Sequence, residues 1–108
     1  MARRKYSFEL EIFESGCPYH EIGKKYSYPE DKAKICSWLL DSANIMIRVL
    51  EYDGTLPWGY SGTSYEKVID PKGKTTEFVR CPDPTSAGVV LKITRTKLPS
   101  SKIKTTVP

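Results

Sequence analysis

Residues Tyr6 to Ile12 alternate without a break: Tyr6, Phe8, Leu10 and Ile12 are apolar, and Ser7, Glu9 and Glu11 between them are polar. Successive side chains of a strand point to opposite faces, so this run predicts a β-strand with one face on a core and one in water. Such a strand needs a second layer. From Ile35 to Tyr52 the apolar period lengthens, and Leu39, Ala43, Met46 and Leu50 recur at three and four residues, with Ile35, Ile47 and Val49 beside them. That pattern is an amphipathic helix with a wide buried stripe. Ser37 is its expected N-cap, Asp41 falls in its expected first turn, and Gly54 is placed to end it in the left-handed conformation.

The remaining signals are shorter. Lys24 to Tyr28 reads as a short strand closed by Pro29, Glu30 and Asp31. Ser64 to Ile69 and Thr75 to Arg80 read as two strands joined by Asp70-Pro71-Lys72-Gly73, whose residue order suits a type I turn. Val89, Leu91 and Ile93 alternate with Val90, Lys92 and Thr94 as a last strand. Strands joined by short turns pair antiparallel. The expectation is an α+β fold, a small antiparallel sheet of about four strands packed on one main amphipathic helix. A chain of 108 residues holds one such domain, placed at 1–97, and the patternless stretch 98–108 reads as a flexible C-terminal tail.

Composition excludes several classes. A hydrophobic fraction of 39% with 28% charged residues is that of a folded domain rather than a disordered one. No apolar run approaches the roughly 20 residues that a membrane helix needs, so no membrane association is expected. The net charge of +4 is concentrated at the ends, in Arg3, Arg4 and Lys5 and in Lys92, Arg95, Lys97, Lys102 and Lys104. A nucleic-acid footprint interleaves basic and aromatic groups on one face, so no nucleic-acid partner is expected. Three cysteines cannot all pair within one chain, and no signal-peptide pattern opens the sequence. They read as reduced thiols or metal ligands in a reducing, cytoplasmic compartment.

The candidate chemistry gathers around those cysteines. Cys17-x-x-His20 places a thiol and the single histidine three positions apart in a loop shaped by Pro18, Gly16 and Gly23. Histidine titrates near neutrality, so His20 can take a thiol proton or move a substrate proton. The same spacing is half of a zinc site, and Cys36 and Cys81 would complete a set of three cysteines and one histidine. Cysteine also serves as a small buried hydrophobe, which leaves inert thiols as a third reading. Cys17-Pro18 and Cys81-Pro82 each hold the cysteine in an extended conformation. Trp38, and Trp58 and Tyr60 in the loop after the helix, carry large rings that can wall a pocket or cover a core edge. Asp83, between two prolines, caps a turn or supplies a carboxylate. No glycine-rich phosphate loop, paired-carboxylate signature or serine elbow is present.

The order Cys17-x-x-His20-x-x-Gly23, Cys36-x-Trp38, Leu56-Pro57-Trp58 and Cys81-Pro82-Asp83-Pro84, followed by an apolar strand, resembles a family of short, uncharacterised microbial proteins of about this length. The resemblance spans Cys17 to Arg95. In that family Pro-Trp-Ala usually follows the second cysteine, where this chain has Ser37-Trp38-Leu39, and a glycine pair follows the helix, where this chain has Asp53-Gly54. The resemblance transfers no activity; it implies that Cys17, His20, Cys36 and Cys81 belong together. The function expected is therefore a small enzyme acting on a small organic ligand by thiol or acid–base chemistry, with Cys17, His20, Cys36 and Cys81 catalytic. Trp38, Trp58, Tyr60 and Asp83 would bind its substrate. The alternatives are a structural-zinc module held by the same four residues and a non-catalytic interaction domain. Homo-oligomerisation stays open in all three.

Overall fold

The run Tyr6 to Ile12 lies within β1 (Tyr6–Glu14), which continues two residues beyond the alternating pattern. The computed structural model describes residues 6–56, 59–82, 84 and 88–98. Three further strands, β2 (Lys25–Tyr28), β3 (Lys74–Arg80) and β4 (Val90–Lys97), complete a sheet of order β2-β1-β4-β3 in which every neighbouring pair is antiparallel. The first and last strands lie side by side in the middle, with Leu10 opposite Ile93 and Ile12 opposite Leu91. One helix, α1 (Ser37–Glu51), packs on one face of the sheet, after a short 3-10 turn at Lys32–Lys34. This is the small α+β fold expected from the sequence.

Tyr6, Phe8, Leu10 and Ile12 are buried in one cluster with Leu39, Ala43, Ile47 and Leu50 of α1 and with Val89, Leu91 and Ile93. Ile47 holds the place expected of Met46, which is only partly buried. Full burial of each such aliphatic side chain contributes about 1.5–3 kcal/mol.

The helix ends differ from expectation. Cys36 is the N-cap and Ser37 the first helical residue, the Cys36 side chain makes no capping hydrogen bond, and Asp41 lies beyond the first turn. At the other end the left-handed residue is Asp53, with φ of 66°, rather than Gly54. Arg95 closes that end from β4: its guanidinium donates to Leu50 O at 2.8 Å and to Thr75 Oγ1 at 3.1 Å, and stacks 4.3 Å from the Tyr6 ring centre. The Tyr6 hydroxyl in turn donates to Asp53. Arg95 is thus a buried core residue and not part of a solvated basic end.

Ser64 to Ile69 does not form a strand. A turn at Tyr60–Thr63, with Gly62 left-handed at φ of 82°, leads into it, and a second turn at Thr63–Glu66 consumes its first half. Its second half runs along the free edge of β3, where the Thr76 amide donates to Val68 O at 2.9 Å and the Val68 amide donates to Thr76 Oγ1 at 2.9 Å. Lys67 and Glu77 form a buried ion pair at 2.8 Å beneath this segment. Phe13, Tyr65 and Phe78 pin it with ring centres 5.0–5.8 Å apart. Asp70 to Gly73 is a tight turn as expected, closed by the Gly73 amide on Asp70 O at 3.1 Å.

Candidate functional site

The loop after β1 carries the first two site residues. Ser15 organises it: its hydroxyl donates to His20 O at 2.6 Å and accepts the Cys17 amide at 3.1 Å. The His20 amide returns to Cys17 O at 3.3 Å. Thiol and imidazole are therefore carried on one closed turn. Cys36 is set by the start of α1, and Cys81 by the end of β3, where its amide donates to Val89 O at 2.9 Å.

These separate pieces of chain meet. Cys17, His20, Cys36, Trp38 and Cys81 all line one cavity of about 260 Å³, and Leu39 and Val89, both core residues, form its floor. Cys17 and Cys81 are partly buried and Cys36 is exposed, so none of the three thiols is enclosed in the core. Tyr19 and Trp38, both exposed, stand in its wall.

His20 is 6% exposed. The Cys36 amide donates to its Nε2 at 3.4 Å, and its Nδ1 is buried with no partner among the described residues. Burial pushes its pKa below the ordinary 6.5, so the ring is neutral at neutral pH. None of the three thiols hydrogen-bonds to a described residue.

Among the described residues no three His, Cys, Asp or Glu side chains form a group able to hold a metal ion. Cys17, His20, Cys36 and Cys81 line the same cavity, with the His20 Nε2 accepting the Cys36 amide. Tyr60 lines a different hollow, of about 180 Å³, with Tyr65, Phe78 and Arg80, because its segment folds along β3. The Lys67 ammonium sits 5.2 Å from its ring centre. Trp58 and Asp83 lie outside the described residues.

The chain matches no family model, no curated protein and no solved structure. Among the described residues no helix is long and apolar enough to cross a membrane.

Sequence reasoning missed Ser15, Tyr19, Leu39 and Val89 as parts of the site. Ser15 had a signal, a serine two residues before Cys17 that suits a hydroxyl-closed turn. Leu39 and Val89 had none, because a core residue that also floors a cavity reads only as core.

Proposed function

We propose that this chain is a small enzyme that acts on a small organic molecule held in the Cys17–His20–Cys36–Cys81 cavity, by thiol or acid–base chemistry. One observation carries the reading: all three cysteines and the only histidine, from three separate parts of the chain, line a single cavity. Unpaired cysteines are ordinarily among the most buried residues, and here none is. The resemblance to the short microbial family belongs to this proposal, as does a cytoplasmic location, which suits three free thiols.

His20 is neutral near pH 7, the form that accepts a proton. Its 3.4 Å contact with the Cys36 amide is long, so little is lost when another donor competes for Nε2. The Cys17 proton passes to Nε2, the thiolate attacks an electrophilic carbon of the substrate, and the imidazolium returns the proton to the leaving group. Leu39, Val89 and the Trp38 ring hold the substrate's apolar part.

Alkylation by iodoacetamide, mapped by mass spectrometry across pH, tests this. Cys17 should react faster than an unstructured cysteine peptide, and His20→Gln should slow it about tenfold while the circular dichroism stays unchanged. Equal rates for Cys17 and the peptide, with no effect of His20→Gln, would replace the enzyme with the interaction-domain reading.

A further inference from the structure

Helix α1 carries two apolar stripes. The first faces the core and bears Leu39, Ala43, Ile47 and Leu50. The second lies on the opposite side of the helix: Trp38, Ile45 and the C-cap residue Tyr52 are 49%, 72% and 78% exposed. They are seven residues apart, and seven residues nearly complete two helical turns, so they stand in one line about 21 Å long. Asp41 and Arg48, both exposed, fall in the same line. The resulting spacing, three then four then three then four, is that of a helix-to-helix seam. A solvent-facing helix surface is ordinarily polar. Single exposed apolar residues need no explanation, but three large ones in register with two opposite charges do.

The line is complementary to itself in one direction only. Laid parallel in register on a second copy, it sets Asp41 beside Asp41 and Arg48 beside Arg48, which is repulsive. Laid antiparallel about a twofold axis at Ile45, it sets Ile45 on Ile45 and Trp38 on the second copy's Tyr52. Asp41 then falls within one residue of the position facing Arg48, well inside the reach of a guanidinium.

We infer that this face is the interface of an antiparallel homodimer of the chain, closed by Ile45 at its centre and by two Asp41–Arg48 pairs. The inference stands independently of the proposed chemistry, but it bears on the same cavity. Trp38 also lines that cavity, so the second copy's Tyr52 comes to its mouth.

Sedimentation velocity over a wide concentration range tests the interface. The wild-type chain should move from monomer to dimer as concentration rises. Ile45→Glu should remain monomeric with an unchanged circular dichroism spectrum, because the position faces solvent in the single chain. Asp41→Arg and Arg48→Asp should each weaken dimerisation about tenfold, and the double swap should restore it. Arg48 lies in the last turn and suits the helix dipole there, so the double swap should lower the stability of the single helix while recovering the dimer. A chain that is monomeric throughout, a dimer indifferent to Ile45→Glu, or a double swap no better than either single one would each overturn the inference.

Discussion

The Cys36 amide donates to His20 Nε2 at 3.4 Å, so the only imidazole of the chain sits at the start of the only α-helix among the described residues. In a neutral ring the accepting nitrogen carries no proton, and the contact therefore assigns the proton to Nδ1. That nitrogen is buried without a partner among the described residues. Burial strips water from the charged form of the ring, which is the physical reason for its lowered pKa.

Stability should follow that titration. The folded pKa of His20 lies below the ordinary 6.5, so as pH falls through 6.5 the unfolded chain takes up the proton first. The neutral buried form stabilises the fold fully above that pH, and its contribution declines below it. Urea midpoints should fall between neutral pH and the range just below 6.5, and His20→Gln should flatten that part of the profile. A variant with the wild-type slope would assign the pH dependence to other groups.

Ser15→Ala should loosen the turn that carries Cys17 and His20. The hydroxyl's contacts with His20 O, Cys17 O and the Cys17 amide are lost, the shortest of them 2.6 Å long, and the expected loss of stability is about 1–2 kcal/mol. Hydrogen exchange should rise at the Cys17 and His20 amides and leave those of β4 unchanged.

Arg95→Ala should be among the most damaging single changes. It removes the donor to Leu50 O, leaves Thr75 Oγ1 without it, and opens a void against the Tyr6 ring. The expected loss is about 3–4 kcal/mol in chemical denaturation. Arg95→Lys should recover little, since one ammonium cannot reproduce the fork that reaches a helix end and a strand side chain together.

Lys67→Met should leave the Glu77 carboxylate buried without its cation and lower stability by about 3–5 kcal/mol. Glu77→Met alone should be similarly harmful. The double variant should return close to wild type, because two apolar side chains of similar volume need no compensating charge. A double variant as unstable as either single one would mean that the pair's geometry, rather than its charge balance, holds the 67–70 segment.

The layers of this fold were legible because β1 and α1 announce themselves by different periods. Tyr6 to Ile12 repeats every second residue and Leu39 to Leu50 every third or fourth, and each stripe found the other. The helix ends were not legible, since Ser37 and Gly54 satisfy local rules that tertiary contacts overrode: His20 takes the N-terminal amide and Arg95 the C-terminal carbonyl. The segment Ser64 to Ile69 looked like a strand because its composition suits one, yet the turns at Tyr60 and Thr63 leave it too little length to pair. Cys17, His20, Cys36 and Cys81 could be grouped from motif order. Tyr60 could not be excluded from that group, since nothing in a loop's composition says along which edge it will lie. The outer line of α1 was hidden by the same wide apolar pattern that identified the helix.

The contact between Val68 and Thr76 bears on how this sheet keeps to itself. A bare strand edge is a template on which another chain can lay a strand. Here the middle of the β3 edge is taken up by the connection arriving from α1, and the opposite edge is a four-residue strand followed at once by Pro29. Neither side offers a long row of open amides and carbonyls. The stretch around Val68 blunts that edge, so a nick between Gly59 and Glu66 should raise the chain's tendency to associate edge to edge, read as light scattering before loss of circular dichroism.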